Sequence, residues 1–435
     1  MDYLPNILFA IALIIGVGYF VKNIKKLIRN IKLGHDVDII DNKPQRWKNM
    51  AMIALGQTKM IRRPIAGILH FIVYVGFIVI NIEVLEIIID GLFGTHRIFS
   101  VIGKPYGILI GTFEILALLV FVSVILFWAR RNIIKLKRFW KSEMTEWPKS
   151  DANIILYFEM VLMTLFLIMN ATDIHFQDMN SGNVVSQFIA PWFNSLSEGM
   201  LHIVERTAWW LHILGILVFL NYLYFSKHLH ILLAFPNTYY GKLKPQGQFD
   251  NLEAVTNEVK LMMDPNVDPF AAPAEGTTIE TPAKFGASDV QDLNWLQLLN
   301  AYTCTECGRC TSECPANQTG KKLSPRKIMM DTRDRLEEVG KNIDANKGVF
   351  KEDGKQLLDN YITREELWAC TTCNACVEAC PVSINPLSII MDMRRYLVME
   401  QSAAPIELNN MMTNIENNGA PWPYNQMDRL NWKNE

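Results

Sequence analysis

The sequence predicts a mainly α-helical protein, in which a five-helix transmembrane bundle is followed by a second, cytoplasmic α-helical domain. Three observations support this fold class. Half of the 435 residues are hydrophobic, and before about residue 235 they form five blocks that are each long enough to cross a bilayer as a helix. All eight cysteines lie in two short runs of the polar C-terminal third. Apolar residues around those runs recur at helical spacing.

These patterns divide the chain into four segments. The five-span membrane domain covers residues 1–235, a linker covers 236–290, the cysteine-containing helical domain covers 291–400, and a tail covers 401–435. Prolines recur through the linker, and we expect an extended tether from about 264 to 288. For the tail two interpretations stay open, a strip that docks on a partner or a disordered end.

The first apolar block is interpreted as a true span rather than a cleaved signal sequence. No basic segment precedes it, its apolar run is too long, and no small-residue cleavage site follows. The five predicted spans cover roughly 4–27, 64–89, 105–129, 153–171 and 207–233.

The distribution of basic residues predicts the orientation of the bundle. Lysines and arginines are dense at 22–63 and 130–149, whereas the two intervening loops hold only Arg97, Lys104 and Arg206. Basic loops stay on the cytoplasmic side of a membrane. We therefore expect the N-terminus outside a bacterial cytoplasmic (inner) membrane and the cysteine runs in the cytoplasm. The near-zero net charge of −2 argues against a nucleic-acid partner.

Two cysteine runs of identical spacing carry the clearest chemical signal. Each follows C-x2-C-x2-C-x3-C-P, which is typical of ferredoxins with two iron–sulfur clusters. In that pattern three closely spaced thiolates bind one cluster, and the cysteine before the proline binds the other. The sequence therefore predicts two [4Fe–4S] clusters. The expected ligands are Cys304, Cys307, Cys310 and Cys380 for the first cluster, and Cys370, Cys373, Cys376 and Cys314 for the second.

Other uses of these cysteines fit less well. Zinc is often bound by C-x2-C pairs, but rarely by four cysteines in one tight run that is then repeated. A disulfide framework requires an oxidising compartment. About 55 residues separate the runs, more than in a compact β-rich ferredoxin, so we expect an α-helical dicluster ferredoxin domain. Pro325 and Pro386 each precede an apolar run and suit a first helical turn.

Three histidines are predicted axial ligands of b haem: His70, His212 and His230. Ionisable residues inside a membrane are rare and usually functional. His212 and His230 are 18 residues apart, which on one helix places them on the same face about 27 Å apart along the axis. We therefore expect one or two b haems, with His70 and His230 near the cytoplasmic side and His212 towards the outside.

A fourth axial ligand is not evident. The position on the second span that faces the outer haem carries Asn81. His96 and His175 are the remaining candidates near the outer side, because His202 points about 80° away from His212. Either one of these two folds back, or a single haem is bound by histidines of the second and fifth spans.

Four glutamates lie inside the predicted spans. Each either pairs with a basic or backbone group near a helix end or serves a quinol site, since quinone chemistry exchanges protons as well as electrons. Menaquinone or ubiquinone is the expected substrate in the membrane. The tryptophans near span ends are interpreted as interfacial belt residues. The glutamates are Glu83, Glu86, Glu114 and Glu159, and the tryptophans are Trp128, Trp140, Trp209 and Trp210.

The cluster domain resembles the C-type subunit of heterodisulfide reductase. The resemblance rests on both cysteine runs, on Ser324-Pro-Arg after the first run, and on Ile384-Asn-Pro with Arg394-Arg395 after the second. Gly419-Ala-Pro-Trp422 stands where that family often has an Asn-Pro-Trp-Gly turn. The resemblance implies a redox subunit that works with a partner.

The membrane half resembles the gamma subunit of respiratory nitrate reductase, through its five spans and the 18-residue histidine spacing. In that family four histidines bind two b haems, and the second helix supplies two of them; here that helix has only His70. The combination looks like membrane iron–sulfur oxidoreductases, some of which take electrons from electron-transfer flavoprotein and continue into a domain with Cys-Cys-Gly motifs. No such motif is present in this sequence, so we expect a separate cytoplasmic subunit to carry it.

The function predicted from these observations is that of a membrane electron-transfer subunit of a quinone-linked oxidoreductase. The sequence contains no G-x-G-x-x-G nucleotide fingerprint, so the site for the soluble substrate is expected on the partner. One alternative is a non-catalytic membrane anchor that docks a soluble oxidoreductase without haem. A redox sensor fits less well, because no output domain is recognisable.

Overall fold

A computed structural model describes residues 3–37, 39, 41–179, 181–265 and 284–434. Within these ranges the chain forms helices and no strands, and five helices are long and apolar enough to cross a membrane. The predicted fold class is confirmed. The helices of the membrane half are α1 (Leu4–Ile31), α2 (Lys43–Met50), α3 (Pro64–Phe93), α4 (Lys104–Asn132), α5 (Trp147–Thr172), α6 (Ile174–Asp178), α7 (Ser186–Ile189), α8 (Glu198–Tyr222) and α9 (His230–Tyr239).

The spans are α1, α3, α4, α5 and α8, the last extended by a 3-10 turn at Leu223–Phe225. Each of the first four spans has a proline in its first turn. The N–H groups of a first turn have no partner within the helix, so the N–H that proline lacks costs no helical hydrogen bond. Gly94 ends α3 with φ of 72°, a conformation that glycine adopts without strain.

The fifth span begins and ends earlier than the predicted 207–233. Ser197 caps its start, and the helix ends at Tyr222 because Ser226 is extended (φ −116°, ψ 148°). The Ser226 hydroxyl accepts the N–H of His228 at 3.1 Å. His230 therefore begins the separate helix α9. The prediction that His212 and His230 share one face of a continuous helix is wrong.

The C-terminal half is a set of short helices around two longer ones. Helices begin at Pro325 and Pro386, as the sequence predicts. The side chains of Ser324 and Asn385 cap them. Its helices are α10 (Glu253–Met263), α11 (Trp295–Thr303), α12 (Arg309–Glu313), α13 (Pro315–Gln318), α14 (Pro325–Ala345), α15 (Leu357–Asn360), α16 (Arg364–Trp368), α17 (Ala375–Ala379), α18 (Pro386–Met399) and α19 (Ile406–Asn418).

The predicted linker contains α10, and most of the predicted tether, residues 266–283, lies outside the described residues. After it, Ala287 is buried and its N–H bonds to the carbonyl of Asp392 at 3.0 Å. In the predicted tail, α19 is followed by a 3-10 turn at Gln426–Lys433, and Trp422 and Trp432 are exposed.

The C-terminal helices pack directly on one end of the membrane bundle. A single apolar core joins Leu27 and Leu223 of the bundle to Leu298 of α11. Asn30 of α1 donates to the Tyr302 hydroxyl at 3.0 Å. We call this the cluster-facing end; it carries the loops after α1, α4 and α8. The opposite end, with the loops after α3 and α5, is called the distal end.

Candidate functional site: two cysteine loops and a histidine pair

The two cysteine runs fold into loops with the same backbone conformation. The second residue after each first cysteine, Glu306 and Thr372, has φ of 54° and 56°. The fourth, Gly308 and Asn374, has φ of 71° and 60°. Glycine and asparagine tolerate this left-handed region, but a β-branched threonine there is strained. Each loop continues into a short helix, α12 or α17, and these two helices pack on each other.

The thiols line two neighbouring cavities, and each cavity takes a cysteine from the other run. Cys380 lies with the first run in one cavity, and Cys314 lies with the second run in the other, while Cys376 borders both. Among the described residues, no group of three or more His, Cys, Asp or Glu side chains is arranged to hold one metal ion. Because each cavity is lined by thiols from both runs, the arrangement is the one that two clusters with crossed ligands require.

The thiols sit in surroundings that favour iron–sulfur ligation. Burial raises the pKa of the Cys304 and Cys376 thiols to about 12, so these thiols ionise on binding a cationic centre rather than in response to solvent pH. Backbone N–H groups point at the sulfurs: Thr372 donates to Cys370 Sγ at 3.4 Å, and Ile384 donates to Cys380 Sγ at 3.3 Å. Such bonds to sulfur tune the potential of a bound cluster.

Arginines surround the first cavity on the side of the membrane bundle. Arg309 donates to the carbonyls of Lys59 and Met60 at 3.2 Å each, and Arg326 donates to the carbonyl of Arg138 at 2.6 Å. Burial lowers the pKa of Arg138 to about 10, against the opposing charge of the Cys307 thiolate, so the guanidinium stays charged at neutral pH. Positive charge here stabilises the anionic cluster that four thiolates would form.

A buried ion network joins the first cysteine loop to the turn before α9. Lys227 pairs with Glu306 of the loop and lies 3.7 Å from Asp151 of α5. Glu306 also accepts from Arg333 of α14 at 2.8 Å. The side chains of Lys227 and Glu306 are only 9% and 2% exposed. The loop and the turn are therefore held together by fully paired charges.

The same turn presents His230 to His70. The two imidazole rings have centroids 6.3 Å apart and planes tilted by 42°. With metal–nitrogen bonds of about 2 Å, two imidazoles on opposite sides of one ion have centroids about 6 Å apart. His70 Nδ1 is buried and has no hydrogen-bond partner among the described residues, whereas His230 Nδ1 lies 3.2 Å from the Lys227 carbonyl oxygen. This pair fits an axial ligand set of a b haem.

The other histidines differ from this pair in their surroundings. His212 is buried with Nδ1 3.0 Å from the Leu162 carbonyl oxygen, and its ring lies against Phe166. His96 and His175 form a pair at the distal end, with ring centroids 6.3 Å apart. His96 also lies 3.2 Å from Asp173. His202 is exposed beside Glu205.

Sequence analysis missed His228, Lys227 and Glu306. His228 is in contact with the His230 ring at 5.3 Å between centroids and lies 3.6 Å from Glu159. Ser226 was the available signal, because a serine before a polar turn is a common helix cap and marks a new helix start. Nothing in the local sequence pairs Lys227 with Glu306, which is 79 residues away.

These features define a helical membrane protein with a 4Fe-4S dicluster domain: residues 303–384 match the family model of that name. The chain is similar to the probable iron–sulfur-binding oxidoreductase FadF of Bacillus subtilis, with 29% identity over 99% of this chain and 61% of that protein. It is similar to the EtfAB:quinone oxidoreductase of Syntrophomonas wolfei, with 26% identity over 91% of this chain and 55% of that protein.

The cluster part also matches the C-type subunit of a ferredoxin/F(420)H(2)-dependent CoB-CoM heterodisulfide reductase of Methanosarcina acetivorans, with 34% identity over 25% of this chain and 52% of that protein. The predicted resemblance of the cluster domain is confirmed. The chain spans little more than half the length of the first two relatives. No solved structure matches it. Oxidoreductases and their subunits among the relatives support a redox role in electron transfer.

Proposed function

We propose that this chain is the membrane electron-transfer subunit of a quinone-linked oxidoreductase. Its centres are two [4Fe–4S] clusters and b haem, and its membrane substrate is menaquinone or ubiquinone. The observation that carries the proposal is the contact between the first cysteine loop and the histidine turn. Lys227 pairs with Glu306 through its ammonium group and meets the His230 ring through its carbonyl.

The cluster ligands of the proposal are the crossed sets predicted from the sequence. Cys304, Cys307, Cys310 and Cys380 hold the cluster next to the bundle. Cys370, Cys373, Cys376 and Cys314 hold the other, and the exposure of Cys373 supports a position of that cluster towards a soluble partner. The shared lining of the two cavities supports a short distance between the centres.

His70 and His230 are the proposed axial ligands of a b haem at the cluster-facing end. When bound, haem iron supplies a one-electron centre inside the membrane. The Lys227 carbonyl fixes the orientation of the His230 ring, as second-shell acceptors do for metal-binding histidines. His212 leaves one ring nitrogen for a ligand as well, and a second haem there requires a partner other than Asn81.

The soluble partner of the proposal is a cytoplasmic redox subunit with Cys-Cys-Gly motifs, linked to electron-transfer flavoprotein or resembling heterodisulfide reductase. The name of the Syntrophomonas relative, EtfAB:quinone oxidoreductase, supports the flavoprotein and the quinone. The cluster domain packs on the loops rich in lysine and arginine, which supports a cytoplasmic location of that domain at a bacterial inner membrane.

The direct test is the metal content and redox behaviour of the purified full chain. We expect about eight iron atoms in clusters per chain, b-type bands in the reduced-minus-oxidised spectrum, and reoxidation of the dithionite-reduced protein by menadione. Clusters without b-type bands would instead favour a membrane anchor that docks an oxidoreductase through its iron–sulfur domain. Failure of menadione to reoxidise a haem-containing preparation would contradict the quinone link.

A further inference from the structure

A cavity of about 370 Å³ opens at the distal end of the bundle, between α1, α3 and α8. This volume lies within the usual range for small-molecule pockets. One wall is aromatic: Phe9 lies 5.4 Å from Trp209 and 6.0 Å from Trp210 between ring centroids. Trp209 is buried in this wall, whereas the sequence predicted a residue of the interfacial belt. Another wall is acidic and comes from α3.

The acidic groups of that wall differ in how they are satisfied. Glu86 accepts from the Phe99 N–H at 2.8 Å and the Tyr106 hydroxyl at 3.1 Å. Asp90 accepts from the N–H of Arg97 at 2.7 Å. Glu83 is 3% exposed, and its Oε2 has no hydrogen-bond partner within the described part of the chain. A buried carboxylate oxygen without a donor is costly, so the cavity is incomplete without one.

The loop after α3 closes the outer side of the cavity with a fixed set of charges. Arg97, at φ 51°, donates to Asp173 at 2.7 Å and to Asn170 at 2.9 Å. His96 lies 3.2 Å from the same carboxylate and is partly exposed. Both cationic groups are thus bound elsewhere, and neither is free to satisfy Glu83.

We propose that this distal cavity binds the ring of a hydroquinone, with one hydroxyl donating to Glu83 Oε2 and the ring packed against Phe9, Trp209 and Trp210. A hydroxyl donor on a flat apolar ring matches an unpaired carboxyl oxygen and aromatic side chains that line the same cavity. The location between membrane helices suits a lipid-soluble ligand. This inference rests on the proposed function and assigns its substrate site to the end of the bundle away from the clusters.

The test measures binding of menadiol to the full chain in lipid nanodiscs by equilibrium dialysis, with empty nanodiscs subtracted. Dithionite keeps every centre reduced, so the probe is not consumed. We expect one saturable site in the wild type, about tenfold weaker binding in Glu83→Gln, since the amide replaces one acceptor oxygen with a donor NH2 group, and intermediate binding in Glu83→Asp. Trp210→Phe is expected to weaken binding about threefold. Glu159→Gln, at a partly buried glutamate outside the cavity, should bind like the wild type.

Equal binding by wild type and Glu83→Gln, or no saturable site in the wild type, would overturn the assignment. If Glu83→Gln does not retain its iron, Glu83→Asp and Trp210→Phe decide the outcome. The proposed function is judged separately, by reoxidation of the reduced wild type with menadione. Normal reoxidation with unchanged binding in Glu83→Gln would place the quinone site elsewhere and leave the function intact.

Discussion

The two ends of the helical bundle are closed in opposite ways. At the cluster-facing end, the C-terminal helices cover the bundle, and the buried charges of Lys227, Asp151 and Glu306 satisfy one another. At the distal end no domain covers the bundle in the described residues, a cavity remains, and Glu83 keeps an unpaired oxygen. One end is completed by protein, whereas the other has room for a small molecule.

This difference indicates that the chain holds its metal centres at one end of the bundle and leaves space for a substrate at the other. Metal centres need fixed distances, and a buried ion network specifies position even where its net contribution to stability is small. A mobile substrate needs an opening and an unsatisfied polar group. If the two ends differ as their contacts indicate, substitutions at each end should have different effects.

The largest effect is expected from a cysteine that crosses between the runs. Cys380→Ser removes one ligand of the cluster next to the bundle, and we expect the iron content to fall by about half, because the other cluster keeps all its ligands. Iron analysis and the electron paramagnetic resonance of the reduced protein measure this loss. Thr305→Ser, in the same loop, should keep both clusters. Full iron content in Cys380→Ser would show that Cys380 is not a required ligand of either cluster.

A similarly large effect should separate the two histidine pairs. His70 and His230 at the cluster-facing end and His96 and His175 at the distal end have equal ring separations of 6.3 Å. We expect His70→Ala to lose haem and His96→Ala to keep it, because His96 is already engaged by Asp173. Pyridine haemochrome analysis of both variants checks this. Loss of haem in His96→Ala alone would move the haem to the distal end.

The comparison also shows what could be predicted from the sequence. The dicluster domain could be predicted because the spacing of each cysteine run is local, and the two loops share one backbone conformation, with Gly308 and Asn374 at equivalent left-handed positions. The crossed ligand sets stay a prediction. The spans were predicted well where apolar length is the only determinant. The fifth was misplaced because Ser226 interrupts it with a capping hydrogen bond that hydropathy does not register.

Contacts between distant segments could not be predicted from the sequence. His230 was proposed as a ligand partly because it was placed on one continuous helix with His212, and that helix ends at Tyr222. The approach of His230 to His70 depends on the turn at Lys227, which is fixed by Asp151 and by Glu306 in another domain. Likewise, four glutamates looked equivalent, and only the fold shows that the neighbours of Glu86 satisfy it while Glu83 is left unpaired.

A moderate effect should show that the network at the cluster-facing end is structural. Lys227→Met removes a positive charge that is paired with the buried carboxylates of Glu306 and Asp151. Breaking a buried ion pair typically costs about 3–5 kcal/mol of stability. The matched control is Lys322→Met, whose pair with Glu365 is exposed on both sides (68% and 61%) and is therefore expected to contribute little to stability. Denaturation followed by cluster absorbance compares the two. Equal losses would show that the network does not hold the cluster domain in place.

The smallest effect concerns pH and should again divide the two ends. In the cluster domain, burial and the nearby Glu366 carboxylate raise the pKa of Asp331 to about 7, although its ion pair with Lys327 lowers this pKa. The folded state then holds a proton that the unfolded state releases above about pH 4, so stability falls as pH rises from 4 to 7. At the distal end, burial raises the pKa of Asp173, but His96 and Arg97 lower it further, to well below its usual value.

That distal contribution is present above pH 4 and is lost only in stronger acid. Raising the pH from 5 to 8 should therefore destabilise the cluster domain by about 2–3 kcal/mol, since about two pKa units lie in this window, and leave the loop around Arg97 unchanged. Hydrogen exchange read separately for α14 and for residues 94–103 measures both responses in one sample. Asp331→Asn should remove the response of α14, because no proton is then exchanged at that position. A pH response of α14 that persists in Asp331→Asn would assign it to another group, and an equal response at residues 94–103 would remove this difference between the two ends.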